Sequence, residues 1–424
     1  MLIQFTVENY LSIRDKVFLS LEPSTDQEHP ENIVTHGTYS GMSSITVYGA
    51  NASGKSSLFK AITTAIIMVR NSNALQVTSK LPVVPFKFDE ESLEQPSSFE
   101  FVFVAADGLK YVYGFSATQD EIIEEYLYCY KSVKPSLVFD RQKNQEKEYK
   151  FPRSSRVKME AASKMNTPNK LFLPTATSWN VEETKAAYEW IAGAVDTFSD
   201  TSQLISNALS HYVSDADHSI QDFTQILLKE ADINIRQMSV TSRKVSDSSP
   251  FPVEGIMING NFVKPDPEQQ YEIRIQTEHD VKRKDGSIRT VALSLEEESR
   301  GTQQLIFFGP FLKETFDNGK TLIIDEIDSS LHPFIVKYLI DLFRNKDINP
   351  NGAQLIVTTH ETTLLSLDTF RRDQIYFTEK DAGTGVTDLY SLDEYSVRKG
   401  ENIQRGYLLG RYGAIPFLQT EGVF

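Results

Sequence analysis

Apolar and polar residues alternate at Ile3, Phe5 and Val7 and again at Val17, Leu19 and Leu21, so the chain opens on two half-buried strands flanking Asn9-Tyr10-Leu11-Ser12. Residues 45–48 are a short, mainly apolar run that reads as a buried strand, and residues 58–69 follow with the composition and length of a helix. Phe99, Phe101 and Phe103, then Tyr111, Tyr113 and Phe115, alternate on either side of Asp107-Gly108, which predicts a hairpin. Residues 122–130 and 136–140 extend the same antiparallel lobe. Near Pro152 the alternation stops. Segments 181–197, 201–213 and 218–230 carry helical spacing, as in Ile220, Phe223, Ile226 and Leu227, and a polar stretch with Pro and Ser at 242–252 closes this helical insertion. No heptad run in it is long enough for an extended coiled coil. Strands are expected to return at 254–258 and 271–277, followed by a helix kinked at Pro310. An apolar strand at 321–324, a helix marked by Phe334, Tyr338, Leu339 and Phe343, and a buried strand at 355–359 complete the pattern. The expected architecture is α/β, a mixed sheet plus an antiparallel β lobe. Its expected divisions are 1–151, a helical insertion at 152–245, and 246–424.

The buried strand at 45–48 runs into Gly49-x-x-x-x-Gly54-Lys55-Ser56, a complete P-loop in its strand–loop–helix setting. Glycines let the backbone curl so that successive N–H groups point inward, and the following helix adds the positive end of its dipole. Gly49, Asn51, Ala52, Ser53, Gly54, Lys55, Ser56 and Ser57 are therefore candidate phosphate ligands, with Lys55 along the β- and γ-phosphates and the Ser56 hydroxyl on Mg²⁺. The strand at 321–324 ends in adjacent carboxylates, Asp325 and Glu326. Successive strand side chains face opposite ways, so Asp325 is assigned to the metal and Glu326 to the attacking water. The strand at 355–359 delivers His360 to the same kind of position, where a γ-phosphate contact is expected.

Composition narrows the partners. Of 424 residues, 40% are hydrophobic and 24% charged, which is ordinary globular usage. The net charge of −15 opposes non-specific attraction to nucleic acid or anionic membrane. Local basic clusters at Arg153, Arg156 and Lys158 and at Lys282, Arg283 and Lys284 leave a local contact open, although charge does not point to one. A single cysteine, Cys129, excludes an internal disulfide framework and fits a reducing compartment, so a cytoplasmic location is expected. No signal peptide and no membrane span are expected, because no run approaches the roughly 18 apolar residues that a span requires.

Between the insertion and Asp325 lies Ser299-Arg300-Gly301-Thr302-Gln303, whose Ser-x-Gly-x-Gln core resembles a diverged ABC signature, and Asp328-Ser329-Ser330-Leu331-His332-Pro333 resembles the D-loop of ABC-type ATPase heads. Asn9-Tyr10-Leu11-Ser12 is similar to the start of SMC, Rad50 and RecF heads. Pro85-Phe86-Lys87-Phe88, Asp373-Gln374-Ile375-Tyr376 and residues 410–416 resemble the abortive-infection and restriction-linked ATPases of the RloA and AbiL kind. The resemblance covers both ATPase lobes. It implies ATP and Mg²⁺ as cofactors and a homodimer or higher homo-oligomer. In it, Ser299, Gly301 and Gln303 of one subunit close over the phosphates held by Lys55 of another, and a separate effector protein is controlled by this closure.

Four readings stand at this point: an antiphage defence ATPase regulating an effector, a DNA-repair or chromosome ATPase, a transporter ATPase, and a non-hydrolysing nucleotide-gated scaffold. The missing coiled coil and the acidic charge weigh against the second, the aromatic antiparallel lobe against the third, and Glu326 against the fourth. Arg274-x-x-x-x-His279 matches the spacing of HEPN ribonuclease motifs, but the alternation of Tyr271, Ile273 and Ile275 predicts a strand where such motifs need a helix.

Overall fold

A computed structural model describes residues 1–198, 201–231, 234–244, 256–258, 261–263, 271–398 and 400–416. The chain divides into two compact units, one of Met1–Thr197, Gly319–Ile327 and Leu342–Phe424, the other of Phe198–Asn318 and Asp328–Asp341. The expected helical segment 152–245 is thus shared, with 152–197 in the first unit and 198–245 in the second. Its expected closing loop lies outside the described residues from 245 onward, as do Glu254 and Gly255 of the expected strand.

Two sheets build the first unit. The antiparallel one has seven strands in the order Tyr149–Lys150, Ser136–Gln142, Ile122–Tyr130, Lys110–Ala117, Ser97–Val104, Leu2–Glu8 and Val17–Ser20. Alternation fixes its register: Phe99 faces Phe115, Phe101 faces Tyr113 and Phe103 faces Tyr111 across the Asp107-Gly108 turn. These rings form one buried face, where Phe103 also stacks on Trp190 at 4.1 Å. The second sheet has six strands in the order Val195–Phe198, Thr321–Ile324, Gln354–Thr358, Ser44–Gly49, Ile375–Lys380 and Thr387–Ser391. Its consecutive pairs from Thr321–Ile324 through Ile375–Lys380 are parallel, and the last strand returns antiparallel. Strands buried on both faces read as unbroken apolar runs, which is why residues 322–324 and 355–357 do not alternate; in residues 45–48 the one polar residue, Thr46, is itself fully buried. The helix Lys55–Asn71 packs Leu58, Phe59, Ile62 and Ile66 into the core shared with both sheets.

A buried polar group ties the antiparallel sheet to the segment at 168–173. Glu125 is fully buried and accepts hydrogen bonds from the Tyr113 hydroxyl at 3.0 Å and from the N–H groups of Phe172 and Leu173. Arg141 stands 4.0 Å from it and donates to the carbonyls of Lys170 and Pro168. Burial raises the Glu125 carboxyl above its ordinary range, with the Arg141 charge opposing.

The second unit combines the helices Thr201–Ser214, Ser219–Glu230 and Arg300–Asn318 with an antiparallel sheet of Gln237–Lys244, Tyr271–Lys282 and Ile288–Ser294. Arg274 and His279 both lie on its central strand. Pro310 sits inside the Arg300–Asn318 helix and removes the N–H that would bond the Ile306 carbonyl. The buried Tyr212 hydroxyl donates to that carbonyl at 2.7 Å and stands 2.9 Å from the Thr224 hydroxyl. At the adjacent Gly309 an added Cβ would lie 2.0 Å from the Thr224 Oγ1, so only glycine lets the two helices meet there.

Candidate functional site

The loop at 49–54 is shaped by two glycines whose missing side chains are replaced by neighbouring strands. An added Cβ at Gly49 would lie 2.4 Å from Thr378 Oγ1 and 2.5 Å from Ser53 Oγ; at Gly54, where φ is +112°, it would lie 2.2 Å from Thr387 Oγ1. Ala52 also takes a left-handed φ of 64°, a conformation that costs an L-residue about 1–2 kcal/mol and that the surrounding loop must hold. Lys55 is buried and its ammonium donates to the carbonyls of Gly49 at 2.7 Å and Ala50 at 3.1 Å, so the charge lies folded inside the curl of the loop. Asn51 and Ala52 are exposed, Ser56 and Ser57 half-buried.

Three side chains missed by sequence reasoning hold this loop. Ser53 Oγ and Thr378 Oγ1 share a 2.6 Å hydrogen bond, and the Thr387 hydroxyl lies 3.1 Å from the Ser53 carbonyl and 2.8 Å from Ser12 Oγ. Ser12 in turn donates to Ser57 at 2.8 Å. Ser12 of Asn9-Tyr10-Leu11-Ser12 is therefore a brace on the phosphate loop. Only Ser12 carried a sequence signal, through the resemblance of its motif; Thr378 and Thr387 carried none.

Asp325 and Glu326 lie just past the C-terminal end of the strand Thr321–Ile324 and His360 just past that of Gln354–Thr358, the strand between it and the one that ends at Gly49. In parallel sheets this end is where ligands bind. Thr358, fully buried on the middle strand, links them: its hydroxyl donates to Asp325 Oδ1 at 2.6 Å and accepts from the Glu326 N–H at 2.7 Å. Glu326 is exposed with φ at 53°, a left-handed conformation that costs on the order of 1–3 kcal/mol. The bond from its N–H to Thr358 helps to hold it there. His360 is exposed, one residue past the buried Thr359.

Ser299, Gly301 and Gln303 belong to the second unit, whereas Lys55, Asp325, Glu326 and His360 belong to the first. Ser299 is exposed and caps the helix Arg300–Asn318, its Oγ accepting from the Thr302 N–H at 3.2 Å. At Gly301 an added Cβ would lie 3.0 Å from the Ser330 carbonyl. The Gln303 amide donates to the Glu298 carbonyl at 2.9 Å, and the Glu298 carboxylate is anchored by the Thr277 hydroxyl and by His279 at 2.7 Å.

These residues fit a nucleoside triphosphate with Mg²⁺. The loop is a glycine-dependent cradle opening on a 17-residue helix, with one ammonium inside it. The Ser56 hydroxyl and Asp325 carboxylate are hard oxygen ligands, and Mg²⁺ commonly takes one or two protein oxygens and completes its shell with phosphate and water. Among the described residues no group of three or more His, Cys, Asp or Glu is arranged to hold a metal, and no helix is long and apolar enough to cross a membrane.

A family model described as an AAA domain, putative AbiEii toxin, type IV TA system, matches residues 45–366. No curated protein matches the chain. Among solved structures, it is similar to an Smc head bound to the C-winged helix domain of ScpA, at 13% identity over 92% of this chain and 97% of that one, with a TM-score of 0.42. An Smc head with an extended coiled coil from Pyrococcus furiosus matches at 14% identity over 92% and 96%, with a TM-score of 0.39. The recombination mediator RecF with ATP matches at 13% over 92% and 97%, with a TM-score of 0.38.

Proposed function

The chain belongs to the AAA-domain family described as putative AbiEii toxin of type IV TA systems, and on that premise we propose that it is an ATP-binding and ATP-hydrolysing regulator in an antiphage defence system, controlling a separate effector through ATP-dependent dimerisation. One observation carries the nucleotide half of this reading. Gly49, Asp325 and His360 stand at the same end of neighbouring parallel strands, with the Lys55 ammonium inside the loop between strand and helix.

When bound, ATP with Mg²⁺ supplies the phosphoanhydride to be cleaved and the cation that neutralises it. Lys55 offsets phosphate charge, and the backbone of Gly49 and Asn51–Ser57 offers N–H donors at the positive end of a helix. Ser56 and Asp325 hold the cation. Glu326 orients water and draws its proton, and His360 contacts the terminal phosphate. Ser299, Gly301 and Gln303 form a second anion site at another helix start, which a second copy of the chain would bring over the first. A ligand that binds the closed pair better than the separated heads biases a two-state equilibrium, so hydrolysis times its opening.

The words of the family description support the defence role, as does the sequence resemblance to abortive-infection ATPases. The test is Mg²⁺-dependent ATP turnover and phage protection, with the chain expressed alone and with its genomic neighbour. Lys55→Ala should abolish binding or turnover, while Glu326→Gln should bind ATP and accumulate as a trapped dimer. Parental hydrolysis by Lys55→Ala would remove the ATPase assignment; full protection by the chain alone would remove the separate effector.

A further inference from the structure

Pro85-Phe86-Lys87-Phe88 is not used by any of the phosphate chemistry, yet it places an aromatic ring in water beside Gly385 and Lys380. Phe88 is 73% exposed while Phe86, two residues earlier, is buried. Single exposed apolar residues need no explanation; this one differs in being held on two sides. The Phe86 N–H donates to Asn9 Oδ1 at 3.0 Å, and the two rings meet edge to face at 5.7 Å. Against the Phe88 ring lies the turn at 381–386, where Gly385 has φ at +71° and an added Cβ would come within 2.7 Å of the ring. That turn is itself pinned, because Asp381 accepts from the N–H groups of Gly383 and Thr384.

The same turn leads into the phosphate loop. Lys380 pairs in register with Thr387, the residue packed against Gly54, and its ammonium lies 5.9 Å from the centre of the Phe88 ring. Lys380 is also two residues beyond Thr378, which pairs with Gly49 and bonds Ser53. Strand side chains alternate, so Lys380 and Thr378 leave the strand on one face, the face that the loop occupies. Ring, ammonium and phosphate cradle therefore share one side of the strand Ile375–Lys380.

We infer that Phe88, flanked by Lys380, is the stacking platform for the base of the nucleoside triphosphate whose phosphates the 49–56 loop holds, an inference that rests on the nucleotide reading above. An aromatic ring held in place loses little freedom when a base lies on it, and stacking reads the π-face instead of the hydrogen-bonding edge. The site accordingly makes little distinction between adenine and guanine.

The experiment compares ATP, GTP and inorganic tripolyphosphate by calorimetric titration in Mg²⁺ on the full chain, for the parent, Phe88→Ala and Phe88→Trp. Phe88→Ala should weaken both nucleotides by about 5- to 150-fold, the span of base–aromatic stacking, and leave tripolyphosphate unchanged. Phe88→Trp should keep nucleotide affinity, and its added emission should be quenched by ATP and not by tripolyphosphate. Parental ATP affinity in Phe88→Ala overturns the inference, and so does an equal loss for ATP and tripolyphosphate, which would mean that the ring only supports the loop. A parent that binds neither ligand overturns the nucleotide reading and this inference together.

Discussion

Thr358 is the residue on which the site is most easily tested, because one buried hydroxyl joins the Asp325 carboxylate to the strained Glu326 beside it. Thr358→Val keeps the branched shape and deletes the donor to Asp325 and the acceptor for the Glu326 N–H. A hydrogen bond to a charged acceptor contributes about 1.5–3 kcal/mol, and leaving a partner unsatisfied adds to the loss. Water can reach the exposed Glu326 and recover part of it. The expected loss of unfolding free energy is therefore about 2–4 kcal/mol, a large share of the roughly 5–15 kcal/mol that folded domains hold. Freed of that bond, Glu326 can relax from its φ of 53°, so turnover should fall further than stability at the assay temperature explains. A loss of about 1.4–2.8 kcal/mol in transition-state stabilisation is a 10- to 100-fold fall in rate. Urea unfolding at constant slope and steady-state ATP hydrolysis would be measured on the parent, Thr358→Val and Thr358→Ser. The serine variant should recover most of both, since it restores donor and acceptor. A valine variant within about 0.5 kcal/mol of the parent, the usual range for a neutral surface change, would refute the reasoning, as would a serine variant damaged as much as valine.

Three further outcomes are expected. Mixing Ser299→Arg with Lys55→Ala protein should partly restore hydrolysis if sites are shared between copies, since one composite site then contains both lesions and the other neither; no recovery after demonstrated subunit exchange counts against a shared site. Tyr212→Phe should lose about 1–3 kcal/mol by orphaning the Ile306 carbonyl, and less in a Pro310→Ala background, where the helix regains its own N–H donor; equal losses in both backgrounds would exclude that pairing. Glu125 has its folded-state pKa raised by burial, so the folded chain holds this proton more tightly than the unfolded chain does. Its contribution is greatest below the unfolded carboxylate pKa of about 4.3 and declines as pH rises through the folded value. Relative to Glu125→Gln, the parent should lose melting temperature over that rise, and a difference curve that is flat or of opposite slope would refute the assignment.

What the sequence determined by itself was local. The phosphate loop is eight consecutive positions, the Asp325–Glu326 pair follows directly on its strand, and the period-2 aromatics at 99–103 and 111–115 fix the register of the hairpin. Each is a pattern within a few residues, where backbone geometry converts spacing into direction. Short strands were lost for the same reason: Val195–Phe198 overlaps the end of a stretch read as helix, and Gln237–Lys244 precedes any expected return to β structure. In four or eight residues, neighbouring chains outweigh local propensity. The division of 152–245 between two units likewise depends on which surfaces bury which helices. Tertiary structure alone decided that Thr358 would serve Asp325 and Glu326, that Thr378 and Thr387 would shape a loop more than 320 positions away, and that Tyr212 would satisfy a carbonyl freed by Pro310. A buried threonine or tyrosine has the same spelling whether its hydroxyl meets a distant partner or a backbone atom nearby. Only the packed strands and helices supply the partner.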